Sequence, residues 1–267
     1  MRMGKISDTN VESNKLRSFL AEKKVWEQLG IDDPLWAVVS NDHKRGGKWD
    51  RAEFFQTGEQ DVARYHEILC KNLGCGNQLG RLLDFGCGVG RLTLAWSRRV
   101  HEVVGVDVSA PMIEHAKSTL QGIPNAKVLL NASTDLSQFE ANSFDVVASH
   151  ICLQHIPPQV IPAYIIEFGR ICRPGGVVIF QLPSRNRTLK VASKVRSWIV
   201  EHAPFSLGSF YRRIKGGSTV RFKVHCTPTD IVIAFASNAG LELVSIEDDY
   251  SAGTSIVSHI YVFRKKG

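Results

Sequence analysis

Three glycines and one aspartate are the residues whose spacing most directly indicates chemistry in this chain. Gly86, Gly88 and Gly90 follow a short apolar run, and Asp107 ends the next apolar run. Glycines at the end of a strand let the backbone approach a ligand closely, and a carboxylate about twenty residues further on is placed to accept hydrogen bonds from ribose hydroxyls. The pattern therefore predicts a ligand that contains an adenosine-like ribose.

The details of this glycine loop disfavour a dinucleotide. The dinucleotide pattern G-x-G-x-x-G needs a glycine where this chain has Arg91, and the third glycine comes one residue early, at Gly90. Asp84 places a carboxylate beside the loop, where it would repel a pyrophosphate and favour a cationic ligand. An NAD-binding domain and a catalytically inactive relative stay open as alternatives.

The elements that must position these residues alternate between strand and helix. Apolar runs predict strands at residues 81–85, 102–107, 127–131, 144–149, 176–182, 241–246 and 255–264, and helical periodicity predicts helices at 59–73, 91–99, 109–122, 158–172 and 227–240. Such alternation favours a parallel sheet covered on both faces. The last two strands are joined by a loop too short for a crossover helix, so we expect them to be antiparallel.

Four segments, taken in order, resemble the class I S-adenosylmethionine-dependent methyltransferases. They are LLDFGCGVGRLT at 82–93, HEVVGVDVSAPMIEHA at 101–116, NSFDVVASHICLQHIPP at 142–158 and RPGGVVIF at 173–180. The resemblance implies a doubly wound, Rossmann-like α/β fold of seven strands, mostly parallel with the last antiparallel, and S-adenosyl-L-methionine as cofactor. The cofactor contacts that it implies are Asp84, Phe85, Gly86, Cys87, Gly88, Asp107, Val108, Met112, Ser133, Thr134 and Ser149, joined by Phe55 and Thr57 from the preceding segment.

The segment after the third strand departs from the family. Many relatives have an acidic residue there that holds the adenine amine, and this chain has Ala132 at the matching position. We expect Asn131 or Ser133 to replace it.

The stretch LQHIPP, which contains His155, resembles the L-x-H-M/I-P stretch of small-molecule and sugar O-methyltransferases. In some of those enzymes the histidine is the general base, and an imidazole pKa near neutrality suits that work. The alternative is that His155 only caps a helix or packs under a lid. His150 is a candidate for substrate binding. We expect O-methylation of a small or lipid-linked metabolite, a sugar among them, with N-methylation of a small amine, or a non-catalytic cofactor-binding or RNA-associated protein, as alternatives.

Two family patterns are missing from the sequence. No N-P-P-Y or D-P-P-Y motif follows the fourth strand, which disfavours methylation of a nucleic-acid base. No Asp-Asn pair of the metal-dependent catechol type occurs either, so we predict no metal.

Charge divides the chain into regions. The chain has 267 residues and a net charge of +7, and ten basic residues against one acidic residue lie between Arg185 and Lys223. We predict an N-terminal wrapping extension at 1–58, a cofactor-binding core at 59–182, a basic helical lid at 183–226 and the rest of the core at 227–267. Arg212 and Arg213 of the lid are candidates to bind an anionic acceptor, with peripheral membrane contact, nucleic acid or mere solvation as alternatives.

Composition excludes several other classes. With 43% hydrophobic and 22% charged residues the chain is neither disordered nor collagenous. The six cysteines show no C-x-x-C pair, and no apolar run is long enough to cross a membrane. The N-terminus lacks the apolar core of a secretory signal, so we expect a cytoplasmic protein.

Overall fold

The computed structural model describes residues 4–73, 79–187 and 222–267. Its sheet has seven strands, in the order β3-β2-β1-β4-β5-β7-β6. They are β1 (Leu79–Phe85), β2 (Val100–Asp107), β3 (Ala126–Leu130), β4 (Phe144–Ser149), β5 (Cys172–Asn186), β6 (Leu241–Asp249) and β7 (Ile256–Lys265). The first five strands pair in parallel, and β7 lies antiparallel between β5 and β6. The predicted fold class is confirmed.

Seven α-helices of the described residues accompany this sheet. They are α1 (Gly4–Asp32), α2 (Pro34–Val38), α3 (Arg51–Leu73), α4 (Arg91–Trp96), α5 (Ala110–Thr119), α6 (Ile161–Ile171) and α7 (Thr229–Asn238). Buried side chains of α3 and α4 form one core cluster with the sheet, and those of α6 and α7 form another. The strands are apolar on both faces because both faces are covered.

The order of the strands creates the place for a ligand. The chain runs outward from β1 to β3 on one side and then crosses to β4 on the other side of β1. The carboxyl ends of β1 and β4 therefore diverge at a switch point, where ligands of open α/β sheets bind. The glycine loop follows β1, and His150 follows β4.

The N-terminal region differs from the prediction. The first predicted helix begins at residue 59, but α1 already extends over 29 residues and α3 begins at Arg51. Gly58 suggested a boundary, yet it lies inside α3, where an added Cβ atom would meet the carbonyl oxygen of Arg91 at 2.8 Å. This glycine permits a close approach between α3 and α4, so its role is packing and not termination.

Other predicted boundaries lie within a few residues of the observed ones. The helix capped by Ser109 is present, and the Ser109 hydroxyl accepts a hydrogen bond from the amide of Met112 (3.4 Å). The helix predicted from 158 begins at Ile161, because a short 3₁₀ turn, Leu153–His155, comes before it. Most of the predicted lid, including Arg212 and Arg213, lies outside the described residues. In the described ranges, no helix combines the length and apolar character needed to cross a bilayer.

Candidate cofactor and acceptor site

A cavity of about 350 Å³ opens at the switch point of the sheet. Its described walls come from α1, the segment at 37–40, the glycine loop, the ends of β2 and β4, the turn at 151–157 and the segments 222–224 and 251–253. Most of the lining side chains are apolar, and a few charged and polar groups lie among them. This combination is typical of a small-molecule site.

The first wall, which we call the glycine-loop wall, consists of Phe85 to Gly88, Val106 to Val108, Met112 and Asn131. Gly86 and Gly88 have φ angles of +80° and +53°. A Cβ atom on Gly88 would lie 2.7 Å from Cγ2 of Val38, and one on Gly86 would collide with the side chain of Cys152. Both positions need glycine, for backbone conformation and for space.

Asp107 holds this wall together and is the group best placed for ribose. Its carboxylate accepts hydrogen bonds from the amides of Gly88 and Ser109, both at 2.9 Å. Burial raises the pKa of Asp107, and the amide hydrogen bonds oppose that rise. Each carboxylate oxygen keeps a free lone pair, so Asp107 can still accept the two hydroxyls of a ribose. The residues present therefore fit S-adenosylmethionine.

Asp84 does not line this cavity, although we expected it to contact the cofactor. It lies beneath the loop, fully buried, and accepts a hydrogen bond from the hydroxyl of Thr93 (2.6 Å). Burial raises its pKa to about 6, against the opposing effects of Thr93 and Arg91. In the described structure, Asp84 supports the loop from below.

Five further candidates also lie away from the described cavity wall. The Ser149 hydroxyl donates to the carbonyl of Phe85 (3.0 Å), and the Thr57 hydroxyl donates to the carbonyl of Phe54 (2.7 Å). Phe55 packs edge-on against Phe54. Ser133 and Thr134 follow Asn131 outside the lining, whereas Asn131 itself is buried in it. Of the two residues expected to replace the missing adenine carboxylate, Asn131 is the one that the cavity contains.

The second wall, which we call the aromatic wall, consists of Trp26, His155 and Phe222. The His155 ring lies 5.0 Å from each of the other two ring centroids, and Trp26 stacks on Phe222 at 5.7 Å. The three residues come from α1, from the turn after β4 and from the segment before α7. Apolar packing between distant segments therefore builds this wall.

Both ring nitrogens of His155 have a hydrogen-bond partner. Nδ1 lies 2.7 Å from the carbonyl oxygen of Lys223, which can only accept, so Nδ1 carries the proton. The lone pair is then on Nε2, which lies 3.1 Å from the side-chain amide nitrogen of Gln154. Burial lowers the pKa of His155 to about 4, although the Lys223 carbonyl opposes this. The imidazole is neutral at physiological pH.

His150 also lines the cavity and belongs to a group of polar and charged side chains. Its Nδ1 is 3.0 Å from the hydroxyl of Tyr65, and its Nε2 is 3.4 Å from Asp61. Arg91, also in the cavity lining, forms an ion pair with Asp61 at 2.6 Å. Burial would raise the pKa of Asp61, but His150 and Arg91 lower it to about 2. Asp61 is therefore ionised, and the group gives the cavity a polar end.

The turn after β4 contains a strained residue. Ile151, which lines the cavity, has a φ of +51°, a region that β-branched side chains rarely adopt. Such a residue costs about 1 to 3 kcal/mol and persists where the surroundings enforce it, typically at functional sites. It lies between His150 and Cys152, which also line the cavity.

Sequence reasoning missed several residues of the site. Arg91, Gln154, Trp26 and Phe222 line the cavity, but none was a candidate. Arg91 and Gln154 could have been found by their place directly beside the glycine loop and His155. Trp26 and Phe222 had no such signal, since only tertiary packing brings them to His155. In the described ranges, no group of three His, Cys, Asp or Glu residues could hold a metal ion.

Comparison with known proteins agrees with this geometry. Residues 82–176 match the sequence model of a methyltransferase-domain family. A demethylmenaquinone methyltransferase of Staphylococcus aureus strain MRSA252 is 31% identical over 135 residues, which are 49% of this chain and 54% of that protein. The corresponding enzyme of strain JH9 is 34% identical over the same shares. The chain thus spans about half the length of the curated relatives that it matches.

Solved structures share the fold. The magnesium protoporphyrin IX methyltransferase of Synechocystis PCC 6803 superposes with a TM-score of 0.60 at 16% identity, covering 91% of this chain and 98% of that one. A methyltransferase of Methanosarcina mazei superposes with a TM-score of 0.56 at 18% identity, covering 74% and 97%. The resemblance to class I methyltransferases is confirmed in sequence over residues 82–176 and in the fold.

Proposed function

We propose that this chain, which carries a class I methyltransferase domain, transfers a methyl group from S-adenosylmethionine to an acidic oxygen of a small, largely apolar or lipid-linked acceptor. The observation that carries the proposal is the joining of the two walls in one cavity. The glycine-loop wall fits the cofactor, and the aromatic wall brings a neutral imidazole to the same space. S-Adenosylmethionine, when bound, supplies a methyl group attached to a sulfonium sulfur, and the acceptor attacks this methyl group in line with the carbon–sulfur bond as the sulfur leaves.

Asp107, the glycine loop and Asn131 would hold the adenosine part of the cofactor. Asp107 accepts hydrogen bonds from ribose hydroxyls, and Gly86 and Gly88 allow the backbone to approach it. Arg91 and His150, at the polar end of the cavity, are charged or polar groups suited to a carboxylate or another anionic substituent.

The lining favours an apolar acceptor over a sugar. Trp26, Phe222, Ile156 and Val224 present mainly hydrocarbon surface, whereas a sugar needs a hydrogen-bonding partner for almost every hydroxyl. A flat or long-chain apolar molecule would bury its surface there at little polar cost. The relatives described above are named for demethylmenaquinone and magnesium protoporphyrin IX, neither of which is a sugar.

The environment of His155 narrows the acceptor further. A general base works best when its pKa lies near the operating pH, and a base with a lower pKa needs a more acidic hydroxyl. Because the pKa of His155 is about 4, the imidazole is available as a base at neutral pH but is a weak one. Such a weak base deprotonates an acidic hydroxyl, for example that of a phenol or an enol, far more readily than the hydroxyl of a sugar. Nε2 is the atom that would take the proton.

The test is incubation with methyl-labelled S-adenosylmethionine and extracts of the source cells, separated into organic and aqueous phases. We expect one labelled product in the organic phase, identified by mass. The matched control is Gly88→Val, which should give no labelled product because it cannot bind cofactor. A labelled product found only in the aqueous phase would refute the apolar acceptor, and no product in any fraction would refute the activity.

The role of His155 is tested separately. His155→Ala should lower kcat by about 10² to 10⁴ and leave cofactor affinity unchanged, because proton removal matters only in the transition state. A variant that keeps more than about half of the activity would refute the base role and favour an amine acceptor, which loses its proton to water.

A further inference from the structure

A row of hydrogen-bonded, buried polar side chains leads from His155 to strands β5 and β7 of the sheet. The side-chain oxygen of Gln154 lies 3.1 Å from the amide nitrogen of Gln181, on β5. The same nitrogen of Gln181 lies 2.6 Å from the hydroxyl oxygen of Ser258, on the adjacent β7. Gln154, Gln181 and Ser258 are each at least 96% buried. The described structure thus links the candidate base to two strands of the sheet.

From Gln181 to the Lys223 carbonyl each group donates to the next one, and Gln181 is also the donor to Ser258. Because the Lys223 carbonyl accepts from Nδ1 of His155, Nε2 must accept from the amide of Gln154. The Gln154 oxygen then faces Gln181, whose amide nitrogen uses one hydrogen for Gln154 and the other for Ser258. One backbone carbonyl therefore determines the orientation of both glutamines.

This arrangement is costly for a purely structural role. The side-chain oxygen of Gln181 is fully buried and has no hydrogen-bond partner among the described residues. A buried unsatisfied oxygen costs about 1 to 3 kcal/mol, and an apolar side chain of similar size would avoid that cost. At the cavity, the effect of these polar side chains is to place the amide N–H of Gln154 against the lone pair on Nε2 of His155.

We propose that Gln154 is a positioning residue, whose side-chain amide occupies Nε2 of His155 until the hydroxyl of the acceptor replaces it. The amide keeps the imidazole neutral, in one tautomer and in one orientation. An acceptor O–H is a donor like the amide and can take its place, whereas the methylated product has lost that proton and cannot. Gln154 therefore distinguishes acceptor from product. The exchange with the acceptor rests on the proposed function, but the state of His155 does not.

Few other groups near His155 can titrate. Trp26 and Phe222 cover its ring, and the charged residues in the same part of the cavity are Glu22 and Lys23 of α1. Glu22 pairs with the side chain of Lys223 at 3.7 Å, and burial lowers the pKa of the neighbouring His225. Among the described residues, the hydrogen bond recorded to Nε2 of His155 comes from the side-chain amide of Gln154.

The decisive variant is Gln154→Glu, which keeps the shape of the side chain but replaces the donor by a carboxylate. The probe is the imidazole ¹⁵N spectrum of His155 between pH 5 and 8, in the absence of any ligand. In the parent protein we expect a neutral ring with the proton on Nδ1 throughout. In Gln154→Glu the carboxylate should draw a second proton onto Nε2, so that the ring titrates at least about one pH unit higher.

The matched control is Gln60→Glu, an equal change at an exposed position of α3, which should leave the His155 spectrum unchanged. If Gln154→Glu does not fold, Gln154→Met replaces it, and Nε2 should then show the shift of an imidazole nitrogen without a hydrogen bond. A His155 spectrum that is identical in the parent and in the folded Gln154 variant would overturn the proposal.

Turnover separates this proposal from the proposed function. If the chain is a methyltransferase, Gln154→Glu should lower kcat about tenfold or more at pH 7 and move the acidic limb of its pH profile upward, with cofactor affinity unchanged. The expected ¹⁵N response together with no methylated product in any protein would support the role of Gln154 and refute the methyl transfer.

Discussion

The two walls of the cavity are built in opposite ways. The glycine-loop wall comes from short segments that all lie between residues 85 and 131, and backbone amides hydrogen-bonded to Asp107 hold it in place. The aromatic wall brings together Trp26, His155 and Phe222 from three distant segments, and ring packing holds it. The first presents backbone and a carboxylate to its ligand, whereas the second presents side chains.

The difference indicates a division of labour. A wall made of backbone tolerates almost no change, because any added atom meets the ligand or a neighbouring loop. A wall made of packed side chains can change its shape by substitution while the sheet below stays the same. We therefore expect the glycine-loop wall to control cofactor binding and the aromatic wall to select the acceptor.

The largest expected effect is that of Gly88→Val. The added side chain would collide with Val38 at a φ that valine rarely adopts, so we expect cofactor binding to fall by more than about 100-fold. Calorimetric titration with S-adenosylmethionine measures it. Gly122→Val is the control, since Gly122 has a similar φ of +81° but open space around it. Normal binding by a folded Gly88→Val would show that this wall does not bind the cofactor.

The next effect concerns stability, because one buried titrating group, Asp84, lies beneath the glycine-loop wall and another, His155, belongs to the aromatic wall. The native pKa of Asp84 is raised to about 6, so its contribution is present below pH 3.8 and is lost as pH rises towards 6. The native pKa of His155 is lowered to about 4, so its contribution is present above pH 6.5 and is lost as pH falls towards 4. The two groups shift stability in opposite directions.

Asp84→Asn should separate the two contributions. It removes the cost of ionising a buried carboxyl, so we expect the free energy of unfolding to rise by about 2 to 3 kcal/mol at pH 7. The gain should vanish near pH 4, where Asp84 is already protonated, and urea unfolding at both values measures it. Equal gains at pH 4 and pH 7 would contradict a raised pKa.

Asp107→Ala should weaken cofactor binding by about 1 to 3 kcal/mol, the cost of losing hydrogen bonds to a charged group. The measurement is calorimetric affinity for S-adenosylmethionine. Glu114→Ala, which removes an exposed carboxylate from nearby α5, is the matched control and should bind normally. An unchanged affinity in folded Asp107→Ala would remove this residue from the ribose site.

The smallest effect tests the aromatic wall. Trp26→Ala removes two ring contacts, each worth about 0.7 kcal/mol, so kcat/KM for the acceptor should fall about tenfold while cofactor affinity stays the same. Trp26→Phe keeps an aromatic ring and should recover most of the loss. A loss of cofactor affinity as large as that of Asp107→Ala would refute the division between the walls.

The sequence was sufficient to predict those features of the fold that depend on a local pattern of residues. Strand alternation, the glycine loop, Asp107 and the Ser109 cap all depend on residues close together in the chain, and their predicted places in the fold agree with the structure. The antiparallel position of the last strand followed from a short connection alone. Asp84 was placed correctly along the chain but assigned the wrong surroundings, because burial beneath a loop has no signature of its own in sequence.

Tertiary structure decided the rest. Gly58 suggested a boundary, but the passage of α3 across Arg91 gives it a packing role inside a helix. His155 suggested an ordinary histidine base, but Trp26 and Phe222 surround its ring and Gln154 occupies its lone pair. The partners of a side chain can come from any part of the chain, and the pKa of a buried group depends on those partners and on lost solvent. The sequence by itself therefore determined where the cofactor loop lies, and only the fold determined the environment of the groups that meet the acceptor.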